Sequence, residues 1–165
     1  MTPVDLQPND PRIAFAGLVI READRADHAM LARMNLQLRQ DEGIHATLTL
    51  KEMEARFERF QDIDGYSVEI FMLADGPVGF VTYRIEADDS LKGVSRVYIR
   101  QFFITRDMRR TGLGRACLEL LLDKRVKKPN TVRLEVLETN PNGLAFWMAA
   151  GFSGYSRIME RELKG

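Results

Sequence analysis

The segment Arg109-Arg110-Thr111-Gly112-Leu113-Gly114 carries the clearest chemistry in this sequence. It follows an apolar, strand-like run that ends at Ile104, and it opens a strongly patterned helix. Small residues at a strand-to-helix turn leave backbone N–H groups pointing into free space, and a helix start adds partial positive charge. Together they form a seat for a phosphate or pyrophosphate, so a phosphorylated cofactor is expected. Gly112 and Gly114 by themselves would also serve a plain tight turn. Arg106, Arg109, Arg110 and Arg115 crowd the same stretch. Such a cluster is a solvated face, a nucleic-acid patch or the counter-charge of a phosphate, and its place on this turn favours the last.

Few other side chains invite a chemical role. Cys117 falls on the apolar face of the helix that follows and reads as core rather than nucleophile. Phe146 and Trp147 read as packing, and His28 as exposed or packed. His45, between the first two helices, is a candidate to touch a substrate. The single cysteine excludes an internal disulfide and a thiolate metal cluster within one chain, and no metal is expected.

The elements that must position these residues follow from periodicity. Residues 1–12, with Pro3, Pro8 and Pro11, read as a loose leader, and residues 15–21 as a first strand. A helix capped by Asp24 buries Met30, Leu31, Met34 and Leu38, and residues 39–46 read as a polar loop. Thr49 with Glu52 predicts a capping box, with Leu48 and Met53 as its hydrophobic staple, ahead of the stripe Met53, Phe57 and Phe60. Residues 68–74 and 78–85 flank the turn Asp75-Gly76-Pro77 as a hairpin. A turn at 88–93 leads into a long strand over 94–104. Leu113, Ala116, Cys117, Leu120 and Leu121 mark the strongest helix; Lys124, Arg125, Lys127 and Lys128 suit its C-terminus, and Pro129 stops it. Val132, Leu134 and Val136 alternate as a strand, a short helix runs over 142–150, and residues 152–163 read as one or two closing strands.

The helix between the strands ending at Ile104 and starting at Thr131 makes those strands parallel neighbours with a right-handed crossover. Ligands in open α/β sheets sit at the carboxyl ends of parallel strands, which is where residues 109–114 fall. The 165 residues suit one domain, with no internal repeat or boundary. Zero net charge argues against a general nucleic-acid binder. No run of about 18 apolar residues and no basic-then-apolar leader is visible, so a cytoplasmic protein that neither enters nor binds a membrane is expected.

With these residues in place, the chain resembles the GCN5-related N-acetyltransferase (GNAT) superfamily. That family's pyrophosphate loop reads Gln or Arg, two of anything, Gly, one of anything, then Gly or Ala; here it is Arg109, Arg110-Thr111, Gly112, Leu113, Gly114. The strand Gln101-Phe102-Phe103-Ile104 precedes it at the family's distance. Asn140, Ala145-Phe146-Trp147 and Gly151-Phe152 match its later Asn and small helix ending in Gly-Phe. The resemblance implies an α/β fold: a mixed, mostly antiparallel sheet, helices on both faces and a splayed parallel strand pair, as a single domain over 13–165.

It further implies that acetyl-CoA is the co-substrate. Backbone N–H groups over 110–115, with Arg109, would hold the pyrophosphate; Phe102, Phe103 and Ile104 would pair with the pantetheine arm like an added strand; Asn140, Ala145 and Phe146 would line the other wall. The implied reaction is transfer of acetyl to a small-molecule or peptide amine by direct attack on the thioester, with a backbone N–H near Phe103 as oxyanion donor. Two positions depart from the family pattern. Its common Tyr acid is replaced by Trp147, and its strand base positions hold Tyr98 and Arg100. Tyr98 acting through a lowered pKa, Glu42, Asp41 or water are therefore the candidate bases, and Tyr155 a candidate acid. Asp41, Glu42, Asp88 and Asp89 hint at a cationic acceptor, and homodimers are common in the family. The alternative reading is a non-catalytic acyl-CoA sensor.

Overall fold

The computed structural model describes residues 7–45, 48–88, 91–126 and 131–163. Strands β1 (Val19–Glu22), β2 (Ser67–Leu73), β3 (Gly76–Ala87), β4 (Ser95–Ile104) and β5 (Thr131–Leu134) lie side by side in chain order. β1 to β4 pair antiparallel and β5 joins β4 in parallel. Helices α1 (His28–Asp41), α2 (Leu50–Asp62), α3 (Leu113–Arg125) and α4 (Pro141–Ala149) surround the sheet. The mixed, mostly antiparallel sheet expected from the sequence is thus present. Among the described residues no helix is long and apolar enough to cross a membrane.

Burial on both sheet faces explains the near-continuous apolar runs of β2 and β3. One core joins Phe71, Val81, Val97 and Ile99 to Leu113, Cys117 and Leu121 of α3. The other joins Phe80 and Phe103 to Leu31 of α1 and Phe57 and Phe60 of α2. Cys117 is fully buried and its thiol is pushed up to about 12 by burial, as a core residue requires.

Local signals worked where the chemistry is short-range. Thr49 and Glu52 cap α2 reciprocally, the Glu52 carboxylate accepting from the Thr49 N–H at 2.7 Å. Asp24 caps a 3-10 turn, Arg25–Asp27, that runs directly into α1. Helix α1 continues to Asp41, past the expected loop start at Arg39, because Arg106 donates to Gln40 and Asp41 and holds the last turn. The expected strand over 15–21 is only Val19–Glu22; Pro11–Ala14 form a 3-10 turn instead, while Phe15 and Leu18 pack on the core from a loop. Arg12 bonds Asp123 of α3 at 3.0 Å, so the chain is held to the domain from Asp10 on, inside the span read as a loose leader. Residues 1–6, Ala46, Asp89, Lys127, Lys128 and Pro129 lie outside the described residues.

The closing strands expected over 152–163 are absent. Tyr155, Ile158, Met159 and Leu163 are 81%, 64%, 81% and 84% exposed. Adjacent Ile158 and Met159 would point to opposite faces of a strand, so this stretch has no single apolar face with which to join the sheet.

A polar link ties α3 to the sheet. Arg125 Nε donates to both oxygens of Glu69 at 2.9 and 2.8 Å, and the Tyr83 hydroxyl donates to the same carboxylate at 2.8 Å. Glu69 is 4% exposed. Arg125→Met leaves that charge buried, and since Arg125 itself is partly exposed we expect a loss of about 2–3 kcal/mol in urea unfolding, below the range for fully buried pairs.

Candidate active site

The site begins where β4 and β5 part. Their ladder runs from Arg96–Thr131 to Ile99–Leu134 and stops, so among the described residues Gln101 to Ile104 have no strand partner on that side. Opposite Thr82 and Tyr83 the β3 register slips, leaving Arg100 as the extra residue of a bulge. The Thr105 N–H donates to the Val78 carbonyl. Bonded and non-bonded pairs alternate in an antiparallel ladder, so Phe103 faces β3 while the N–H groups of Phe102 and Ile104 turn outward. The donor that sequence reasoning set near Phe103 is thereby moved to its neighbours. The resulting cleft holds about 900 Å³ and reaches from the turn at Gly112 to Arg100 and Glu42.

At one end lies the turn before α3. Arg110 (φ 60°) and Gly112 (φ 90°) both take left-handed backbone. Gly112 is the N-cap of α3 and supplies no side-chain cap, whereas α2 and α4 are capped by Thr49 and Asn140. The first-turn N–H groups at Gly114 and Arg115 therefore stay open, as an anion seat requires. A side chain at position 114 would intrude, since its Cβ would stand 3.0 Å from the Phe146 ring. Thr111 Oγ1 donates to the Met108 carbonyl at 2.6 Å and closes the turn, and Leu113 is fully buried beneath it.

The arginines divide their labour. Arg109 donates to Asp41 at 2.7 Å and to the Ile104 carbonyl at 2.9 Å, and lies over the Phe103 ring. Arg106 donates to the other Asp41 oxygen at 2.9 Å. Arg115 bonds Glu119 and the Ala149 carbonyl of α4. Only Arg110 of the four has no ion pair among the described residues, so one arginine, rather than a cluster, is free for a phosphate. The far wall is α4: Asn140 accepts from the Gly143 N–H at 2.9 Å, and Ala145 faces the cleft. Phe146 stacks on Phe102 at 5.8 Å between ring centres, with Trp147 edge-on to both.

At the other end Glu42 lines the cleft. Its backbone carbonyl accepts from the Thr139 hydroxyl, bridging the two walls. Burial pushes its carboxyl above the ordinary 4.5, with Arg39 and Arg56 opposing and Asp41 adding to the rise. Tyr98 sits on the α1–α2 face under the Arg84 guanidinium and does not line the cleft. Burial, then Glu135, push its hydroxyl up, the reverse of the lowered pKa that a base at this position needs. Asp41 is taken by two arginines, Tyr155 is exposed on the tail, and His45 borders a separate hollow beside Leu36 and Gln40. His28 is buried against Gln61.

The sequence profile of the acetyltransferase (GNAT) family matches residues 31–152. The chain belongs to this family. No curated protein sequence matches it. Among solved structures, a possible acetyltransferase from Clostridium difficile 630 aligns at TM-score 0.71 and 19% identity, covering 90% of this chain and 99% of that one. An aminoglycoside N-acetyltransferase in complex with CoA aligns at 0.67 and 14%, covering 90% and 95%. Glucosamine-6-phosphate N-acetyltransferase from Arabidopsis thaliana aligns at 0.62 and 18%, covering 89% and 99%.

As a GNAT acetyltransferase the chain transfers acyl groups from acetyl-CoA. The residues present fit that co-substrate: uncapped amides at Gly114 and Arg115 suit a diphosphate, and the unpaired edge of β4 suits an extended amide-bearing arm. Among the lining residues of this GNAT site that sequence reasoning did not assign to it are Arg100 and Glu135. Arg100 was noted only as a substituted base position. Glu135 lies just past the end of β5, and finding it required knowing where the β4–β5 ladder ends.

Proposed function

We propose that this GNAT protein acetylates a primary amine by direct attack on the thioester, with Glu42 as general base. One observation carries the reading: a carboxylate with raised proton affinity lines the same cleft as an open helix N-terminus and an unpaired strand edge. Acetyl-CoA supplies the activated carbonyl. Gly112, Gly114, Arg115 and Arg110 bind its diphosphate, and the outward amide of Ile104 orients its arm. Asn140, Ala145 and Phe146 close the other side.

An amine with pKa near 10.4 is almost wholly protonated at pH 7, and freeing it costs about 4.6 kcal/mol. Glu42 first takes the ammonium proton and passes it to solvent. The free amine then attacks, and as the C–N bond forms and the C–S bond breaks the nitrogen gives its second proton to Glu42. The thiolate leaves and is protonated from solvent, since Trp147 has no proton of suitable acidity to give. The Phe102 N–H serves as oxyanion donor.

Titration calorimetry with acetyl-CoA, followed by free-thiol release with a panel of amines, tests this. Heat on mixing plus amine-dependent thiol is the expected result, and heat without thiol would favour the sensor reading that Trp147 recommends. Tyr98→Phe is expected to keep kcat/KM within about twofold from pH 6 to 9, because its raised pKa leaves it neutral there.

A further inference from the structure

Arg100 of the β4 bulge lines the cleft with Glu42, Arg56 of α2 lies close to both Arg100 and Arg39 of α1, and among the described residues none of the three forms an ion pair. Arg56 and Arg100 lie over the same Phe60 ring, at 5.2 and 5.1 Å from its centre. Arg100 also lies over Tyr66 and donates to its hydroxyl at 3.5 Å. Arg39 Nε is buried and has no hydrogen-bond partner among the described residues. Glu42, one turn on from Arg39, is the carboxylate close to Arg39 and Arg56, and it lines the cleft with Arg100. Burial first, then Arg39 and Arg100, depress the affinity of Arg56 for its proton.

Three guanidiniums beside one carboxylate leave two positive charges uncompensated. Exposed arginines tolerate that in water, but a buried N–H without an acceptor and a half-buried guanidinium among like charges are costly. An oxyanion would satisfy all three forks. It is not the diphosphate of the co-substrate. Arg100 lies four residues before Ile104, roughly 13 Å along an extended strand from the turn that seats that group.

We propose that the acceptor is a small amine bearing an oxyanion, carboxylate or phosphate, gripped by Arg39, Arg56 and Arg100 with its amino group turned toward Glu42. This rests on the acetyltransferase reading above and replaces the cationic acceptor suggested by Asp41, Glu42 and Asp88. Asp41 is consumed by Arg106 and Arg109, and Asp88 pairs with Arg96 at the far end of β4.

A matched set of amines tests it: ethanolamine, β-alanine, O-phosphoethanolamine and 1,3-diaminopropane. We expect kcat/KM for β-alanine or O-phosphoethanolamine to exceed that for ethanolamine at least about tenfold, with the diamine lowest, and the better of the two names the oxyanion. Arg56→Gln and Arg100→Gln should each raise KM for the anionic amine about tenfold or more, with a smaller effect on kcat and the acetyl-CoA Kd kept, and be partly rescued by lysine. Preference for ethanolamine or the diamine, or an anionic preference indifferent to both variants, would overturn the proposal while the acetyltransferase reading stood. Calorimetric binding of O-phosphoethanolamine or β-alanine, lost in Arg100→Gln, reads the oxyanion site even if acetyl-CoA fails to bind. In that case the function reading falls alone, and absence of this binding removes the oxyanion site as well.

Discussion

Gly114→Leu is expected to weaken acetyl-CoA binding by about 10³-fold in titration calorimetry, the loss of about two charge-assisted hydrogen bonds. The argument is steric. The position carries one of the open first-turn amides of α3, and a Cβ there already stands 3.0 Å from the Phe146 ring on the opposite wall. A leucine fills the space that a diphosphate needs and pushes Phe146 off Phe102. Moving Phe146 off Phe102 should also lower the melting temperature, so circular dichroism confirms that the variant is folded before its binding is read. Gly114→Ala is the graded control: its methyl requires Phe146 to give by a few tenths of an ångström, and about tenfold weaker binding is expected. Gly112 is a less clean target, because at φ 90° any side chain also strains the backbone.

Glu42→Gln is expected to lower kcat by about 10³-fold, within the usual range for removing a general base. In the parent protein kcat/KM should rise with pH through the raised pKa of Glu42, an acid limb lying above 4.5, and the variant should lack that limb. The stability effect has the opposite sign. A carboxyl that holds its proton more tightly when folded gives the native state more bound protons than the unfolded chain. Stability therefore falls as pH rises from the unfolded pKa through the folded one. Glu42→Gln escapes that loss, so it should melt higher than the parent at pH 8, with the gap closing by pH 4. A variant both less active and more stable identifies a group kept for chemistry rather than for the fold.

How far the sequence could be read depended on the range of the interactions. The caps at Asp24 and Thr49, the periodic stripe of α3 and the glycines of its leading turn act over a few residues, and each is where the pattern placed it. The roles of Arg106 and Arg109 were out of reach, because both are decided by Asp41, 65 and 68 residues away in the chain. Tyr98 and Glu42 looked equivalent as candidate bases. What separates them is the β3–β4 bulge and the end of the β4–β5 ladder, which put one under Arg84 and the other in the cleft. The anionic preference was hidden for the same reason: Arg39, Arg56 and Arg100 come from two helices and a strand, and only folding gathers them. The tail misled although Phe152, Tyr155, Ile158, Met159 and Leu163 do not recur with a strand's period of two.

Asp41 receives Arg106 and Arg109 on its two oxygens, and the next residue along the chain is Glu42. In the proposed mechanism the turn that would seat the diphosphate, tied in through Arg109, and the residue that would take the proton share this one support. Any coupling between the two substrates across it would be reciprocal, each changing the affinity for the other by the same factor.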